Sequence, residues 1–189
     1  ILTALIGRTA ALLKLRRSNE AMVLIDRMRK DYGNSPRFLL FELVLTAFSG
    51  DLPGAADQSR QFTRRFPDNP DFPGAEGILS ILLARPEQAK ETAERSLAID
   101  PGYSIGYQIL GEYLNTYQGN SELAAETLRQ GLSHNDKDAV LWGQLGYAYL
   151  KMGENRMAEE AFRKGIALNR KNVTCLANFA ILLLDQDRV

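Results

Sequence analysis

The stretch of sequence that decides the fold lies in the C-terminal third of the chain. It reads Trp142-Gly143-Gln144-Leu145-Gly146-Tyr147-Ala148-Tyr149, followed by Gly153, Ala158 and Phe162. Apolar residues recur there every three or four positions, as the buried face of a helix requires. Gly146 and Ala158 are small residues where two helices would approach closely, and a larger side chain would push those helices apart. We therefore predict two antiparallel helices joined by a turn at Gly153.

This spacing closely resembles the tetratricopeptide repeat, a helix–turn–helix unit of 34 residues. When Trp142 takes the fourth position, the unit spans 139–172, and Arg170 stands where the family favours proline. Unit 104–138 fits the same pattern only if one extra residue lies between Gly111 and Gly119. The predicted units are 2–35, 36–69, 70–103, 104–138, 139–172 and a partial unit, 173–189.

Turn-forming residues separate these units, since Pro36, Pro67 and Pro101 stop helices and nearby Asp and Asn residues cap the next ones. One unit cannot bury its own apolar face, so neighbouring units must stack. The resemblance therefore implies an all-α fold, a right-handed α-solenoid of antiparallel helix pairs in a single array. The predicted helices lie near 7–16, 20–31, 37–48, 53–65, 72–84, 87–98, 104–117, 121–133, 139–151, 155–168 and 173–185.

The composition argues against several classes of site. A formal net charge of zero argues against a general nucleic-acid binder. The single cysteine, Cys175, excludes an internal disulfide and any multi-cysteine metal site, and the single histidine, His134, excludes a two-histidine metal site. We therefore predict no enzyme activity, no catalytic residue, no metal and no cofactor. Cys175 is expected in the core, and His134 near a helix C-terminus, where a partly positive imidazole is favourable.

No segment is long and apolar enough to span a membrane, because the best one, from Phe38 to Phe48, falls well short of the roughly 20 residues required. The segment from Ile1 to Leu15 has the pattern of an amphipathic helix rather than a signal peptide. The chain starts with Ile instead of Met, and the segment from Val173 to Leu184 lacks the polar outer face of a terminal repeat. We predict a fragment of a longer protein, soluble in itself, whose cytoplasmic or periplasmic location the sequence leaves open.

In this repeat family the first helix of each unit lines a concave groove in which peptides or partner helices lie. The resemblance places an apolar surface in the N-terminal part of that groove. One interpretation is a cradle for an amphipathic partner helix, because large exposed apolar patches mark contacts. The alternatives are a cover supplied by a missing N-terminal segment or by a second copy of the chain, and burial by tighter coiling. The residues concerned are Ile6, Ala10, Leu13, Leu40, Phe41, Val44, Phe48, Ile78 and Ile81.

The C-terminal part of the groove is polar and is our candidate for ligand contact. Gln108 and Glu112 are spaced i, i+4 and share a helix face. Amide and phenol groups can hydrogen-bond the backbone of an extended peptide. The alternative interpretation is a solvated helix face with no ligand. The candidate residues are Gln108, Glu112, Gln144, Tyr147, Lys151 and Asn178.

Three functional hypotheses follow. The first is a non-catalytic scaffold that binds a peptide or helix of a partner protein in its groove. The second is a docking or regulatory arm of a larger enzyme, such as a glycosyltransferase, or of an export or secretion assembly. The third is self-association into a homo-oligomer. None of them involves nucleic acid or membrane insertion.

Overall fold

The computed structural model describes residues 1–185, which form helices and connecting turns. The helices are α1 (Leu2–Lys14), α2 (Ser18–Tyr32), α3 (Pro36–Phe48), α4 (Leu52–Arg65), α5 (Asp71–Leu82), α6 (Pro86–Ile99), α7 (Ser104–Glu112), α8 (Ser121–His134), α9 (Ala139–Lys151), α10 (Asn155–Leu168) and α11 (Val173–Asp185). A π turn, Tyr113–Tyr117, continues α7. No β-strand occurs within residues 1–185, which confirms the predicted all-α class. The end of the predicted partial unit, 186–189, lies outside the described residues.

The helix ends agree with the predicted ones to within two residues, except at the start of α1 and at the end of α7, where the predicted end near residue 117 is reached only through the π turn. We expected α1 to begin near residue 7, but it begins at Leu2. The first turn is helical because its apolar side chains are buried against α2 and α3. The contact joins Leu2, Leu5 and Ile6 to the cluster of Ile25, Met28 and Phe38.

The chain divides into two compact units. The first, Ile1–Pro67, contains α1 to α4, and the second begins at Asp68 and contains α5 to α11. The core of the first unit centres on Phe38, which is fully buried and lies 6.4 Å, ring to ring, from Phe41. The core of the second unit is larger and runs through α7, α8, α9 and α10. Each unit therefore has apolar burial of its own.

In the second unit the two helices of a pair approach most closely at a glycine. A Cβ on Gly146 of α9 would lie 2.5 Å from the Phe162 ring of α10, and one on Gly111 of α7 would lie 2.6 Å from Leu128 of α8. No side chain fits at such distances, because protein interiors are already close-packed. Ala158 is fully buried in the same helix pair as Gly146. The predicted packing role of Gly146 and Ala158 is confirmed.

Successive pairs of the second unit are joined by the same anchoring contact. The Tyr107 hydroxyl donates to the Pro101 carbonyl over 2.9 Å, and the Trp142 indole N–H donates to the Asp136 carbonyl over 2.8 Å. Both acceptors lie six residues upstream, in the turn before the helix. Asp138 then caps α9 by accepting from the backbone N–H groups of the first turn. The anchors set where each first helix begins.

The π turn accommodates the extra residue that the sequence places between Gly111 and Gly119. Its backbone bonds are wider than α-helical ones: the Gln118 N–H donates to the Tyr113 carbonyl over 3.2 Å, five residues back. Gly119 then takes a positive φ of 65°, as Gly153 does with 77° at the end of α9. The helix thus bulges by one residue and ends on the same glycine conformation as its neighbour.

Deleting Thr116, an exposed residue of the π turn, restores a 34-residue unit and a regular helix. We expect the free energy of unfolding to change by less than about 1 kcal/mol, because no core contact is lost. Lys151 occupies the position of Thr116 in unit 139–172, which has no extra residue. Deleting Lys151 rotates the following segment by about 100° about the helix axis, and we expect it to lower the free energy of unfolding by more than about 2 kcal/mol. Urea denaturation followed by circular dichroism measures both, and equal costs would contradict the assignment of the extra residue.

Replacing Gly146 by Ala tests the close approach of α9 and α10. The new methyl group meets the buried Phe162 ring, so we expect a loss of about 1–3 kcal/mol in the free energy of unfolding. Gly7 in α1 is the comparison site, because nothing lies within 4 Å of its Cβ position. There the same change should stabilise by up to about 1 kcal/mol through helix propensity. A neutral Gly146→Ala variant would show that the helices can separate without cost.

Candidate functional site

The first unit contains an apolar cavity between α1 and α3. Its volume is about 680 Å³, within the range of protein ligand sites. The structure brings five of the predicted apolar residues together here and adds three that the sequence had not indicated, Lys14, Leu45 and Ser49. The lining residues are Ala10, Leu13, Lys14, Phe41, Val44, Leu45, Phe48 and Ser49.

Part of this lining is open to solvent. Phe48, on the last turn of α3, is 86% exposed, and Val44 is 40% exposed. The core packing of the unit does not require the Phe48 ring, because its side chain contributes little buried surface. Lys14 is the sole charged residue among those that line the cavity. Lys14 could have been found from sequence, since it lies four residues after Ala10 on the same helix face.

The remaining predicted apolar residues lie elsewhere. Ile6 packs against the core of the first unit, and Leu40 is half-buried outside the cavity lining. Ile78 and Ile81 belong to α5 in the second unit, where Ile81 packs against a buried cluster and Ile78 is 43% exposed. The apolar cavity is therefore smaller than the surface predicted from sequence.

Two of the predicted polar residues hold α7 and α9 together. The Gln108 amide N–H donates to the Asp138 carboxylate over 3.0 Å, and the Gln144 amide N–H donates to the Gln108 carbonyl over 3.1 Å. Asp138 is also the residue that caps α9. These amide donors are therefore engaged within the protein, while the Gln144 side-chain oxygen is buried without a hydrogen-bond partner. A peptide that binds these amide donors would have to replace these bonds, and peptide contact at Gln108 and Gln144 stays a prediction.

The other four polar residues are more accessible. Glu112 accepts a hydrogen bond from the Thr116 hydroxyl over 3.0 Å. Tyr147 and Asn178 are half-buried and Lys151 is exposed, and no hydrogen bond within residues 1–185 involves these three side chains. A peptide contact at these three residues stays a prediction.

The two residues of special chemistry have structural surroundings. Cys175 is fully buried, and its thiol lies near the Cβ positions of Gly143 and Gly165. Burial raises the pKa of the Cys175 thiol, which disfavours the nucleophilic thiolate. His134 ends α8 and stacks on Tyr107, with ring centroids 5.9 Å apart. Both placements agree with the predicted core and helix-end positions.

Residues 1–185 contain neither a metal-binding cluster nor a membrane-spanning helix. No group of three or more His, Cys, Asp or Glu side chains is arranged to hold a metal ion. No helix in this part of the chain combines the length and the hydrophobicity needed to cross a bilayer.

The contacts of Gln108 lead to a prediction about stability. The Gln108→Ala variant removes the bond to Asp138, so we expect a loss of about 0.5–1.5 kcal/mol in the free energy of unfolding. The Lys151→Ala variant removes an exposed side chain and should change it by less than about 0.5 kcal/mol. Denaturant unfolding distinguishes the two variants. If Gln108→Ala leaves the free energy of unfolding unchanged, the bond to Asp138 does not stabilise the fold, and Gln108 counts again as a candidate for ligand contact.

Comparison with known proteins identifies the repeat. Residues 139–172 match the tetratricopeptide repeat family. A thermophilic TPR protein of Thermus thermophilus has a similar structure, with a TM-score of 0.78 and 19% identity, over 97% of this chain and 100% of that one. The structure of pilF from Pseudomonas aeruginosa is also similar, with a TM-score of 0.68 and 21% identity, over 86% of this chain and 71% of that one. These likenesses confirm the predicted repeat fold.

A curated relative is similar in sequence. Protein bimA of Emericella nidulans is 28% identical over 92 residues, which is 48% of this chain and 11% of the relative. The chain thus matches a small part of that protein's length.

Proposed function

We propose that this chain, which has the fold of the tetratricopeptide-repeat proteins, is a non-catalytic protein-interaction module that binds an amphipathic helix of a partner protein. Its helices fit about five and a half repeats, and this fold is typical of protein–protein interaction scaffolds. The proposed binding site is the apolar cavity between α1 and α3. The other two hypotheses, an arm of a larger enzyme or export assembly and a self-association module, would use the same kind of surface.

The observation that carries this proposal is the solvent-open apolar lining. Phe41, Val44 and Phe48 follow one another along one face of α3, and Leu13 faces them from α1. A partner helix places apolar anchors at positions i, i+3 or i+4, and i+7 into such a groove. Each anchor side chain that becomes fully buried contributes about 1.5–3 kcal/mol. Three anchors would contribute about 4.5–9 kcal/mol, from which the loss of translational and rotational freedom on association is subtracted.

The charges around the cavity favour an acidic partner. Lys14 lines the cavity, and Arg37 lies on α3 one turn before Phe41. The four carboxylates of α2 and α3 are paired with three arginines, since Arg29 is shared by two of them, but the unit as a whole (residues 1–67) has 11 Lys and Arg against 6 Asp and Glu and so keeps an excess of positive charge. Complementary charge speeds association and selects partners. The pairs are Arg17–Glu20, Arg27–Asp31, Arg29–Asp26 and Arg29–Glu42.

The test uses a labelled synthetic amphipathic helix with leucine anchors and aspartate at both ends, followed by fluorescence anisotropy. The Val44→Asp variant buries an unpaired carboxylate beneath the peptide, and we expect it to weaken binding about 10-fold or more. The matched control is Val23→Asp, the same change at an exposed residue of α2 in the same unit (69% exposed). The control should bind like the native chain.

Two further measurements complete the test. Circular dichroism establishes that both variants keep their helices. Sedimentation velocity of the native chain shows whether a second copy occupies the cavity instead, in which case Val44→Asp would shift the oligomeric state. Equal affinities of the two variants, or no binding of the peptide to the monomeric native chain, would refute the proposal.

A further inference from the structure

We infer that a second binding site lies in the other unit, between α8, α9 and α10, and that it takes an acidic peptide segment with an apolar anchor residue. We name it the cationic cavity. Its volume is about 360 Å³. The inference stands apart from the function proposed for the apolar cavity, because the two sites share no residue. The lining residues are Arg129, Leu132, Ser133, Trp142, Leu145, Tyr149, Met157, Glu160, Ala161 and Lys164.

The floor of the cationic cavity is buried and apolar. Leu132, Leu145 and Tyr149 belong to the buried core of the unit. Trp142 forms a wall, and its indole N–H is bonded to the Asp136 carbonyl over 2.8 Å, which fixes the ring. Met157 also lines the cavity, is partly exposed and offers an adaptable apolar surface. A single leucine or phenylalanine side chain would find apolar contacts on several sides.

The rim of the cationic cavity carries an excess of positive charge. Arg129 and Lys164 have no carboxylate within ion-pair distance among residues 1–185. The Lys164 ammonium lies 4.3 Å from the centroid of the Trp142 ring. The carboxylate of Glu160, the acidic residue of the lining, is paired with Arg156 over 3.4 Å. Two cations are therefore available to a carboxylate that enters beside the apolar floor.

The preceding repeat shows that packing does not require these cations. Apolar residues occupy the corresponding floor and wall positions there, which indicates that the apolar lining is a consequence of the repeat. The two cations, by contrast, correspond to an acidic and a neutral residue. The counterparts of Leu132, Leu145 and Met157 are Leu97, Leu110 and Leu123, and those of Arg129 and Lys164 are Glu94 and Gln130.

These features specify the chemistry of the ligand. Arg129 can bind a carboxylate through two parallel N–H groups, and Lys164 adds a point charge. A leucine or phenylalanine next to an aspartate or glutamate would place its side chain on the floor and its neighbour's carboxylate at the rim. The occupant we assign is therefore a partner's acidic segment with one apolar anchor, held by charge at the edge and burial at the centre.

The experiment uses Trp142, the single tryptophan of the chain, as a reporter inside the site. The probe is an acetylated peptide, Asp-Asp-Leu-Phe-Asp-Asp, titrated against the native chain while the tryptophan emission is recorded. We expect a saturable change that weakens when sodium chloride is added, because rim charges are screened by salt. The same peptide with Asn in place of every Asp should bind about 10-fold more weakly or not at all.

The variant that tests the cations is Arg129→Gln with Lys164→Gln, and the matched control is Lys137→Gln with Lys171→Gln. The control removes two exposed cations from turns outside the cationic cavity. We expect the first pair to weaken binding of the Asp peptide about 10-fold and the control to leave it within about twofold. Because Lys164 lies close to the indole, anisotropy of a fluorescein-labelled peptide supplies a second measurement that does not depend on tryptophan emission.

Three results would overturn the inference. They are an unchanged affinity in the Arg129→Gln/Lys164→Gln variant, equal binding of the Asp and Asn peptides, and no signal from either measurement at millimolar peptide. The Val44→Asp variant separates the two sites. Loss of the Asp peptide in that variant, with retention in the Arg129→Gln/Lys164→Gln variant, would place the binding in the apolar cavity and exclude the cationic cavity.

Discussion

The close approach of the two helices in each pair is the constraint on which the second unit depends. At Gly146 the Phe162 ring occupies the space of a side chain, and at Gly111 the Leu128 side chain does so. Ridges of one helix can enter the grooves of the other only when such a position is empty. The bulky partner is then fully buried, and the pair gains apolar burial that neither helix has alone. The next pair stacks on the surface created in this way.

Much of the fold could be predicted from sequence because this constraint places small and bulky residues at regular spacings along the chain. The spacing from Trp142 to Phe162 sets the phase, and the need for one extra residue after Gly111 correctly locates the irregularity of α7. What spacing cannot supply is the form of that irregularity. A loop, a shifted turn and a π turn all absorb one residue, and the choice depends on burial of Tyr113 and Leu114 against their neighbours. The early start of α1 has a similar origin, since its first turn is stabilised by tertiary contacts with Phe38.

The candidate sites were less predictable, because helical periodicity indicates which face a residue occupies but not whether its polar groups are already bonded. Gln108 and Gln144 do lie on adjacent first helices, as predicted, yet their amide donors join α7 to α9. The apolar cavity was easier to foresee. Phe41, Val44 and Phe48 follow one face of α3, and apolar side chains have no hydrogen bonds to satisfy, so face and exposure alone describe them.

Comparing neighbouring repeats separates residues that the fold needs from residues that it does not. Position by position, the fold requires a small residue at Gly146, a bulky one at Phe162 and an apolar floor at Leu145. It requires neither the exposed ring of Phe48 nor the positive charges of Arg129 and Lys164, which have no carboxylate partner among residues 1–185. Exposed apolar side chains promote association with other surfaces, and clustered like charges repel one another, so both cost something in an isolated chain. Packing does not explain these residues, and for this reason we propose binding roles for them, through apolar burial in one unit and through charge in the other.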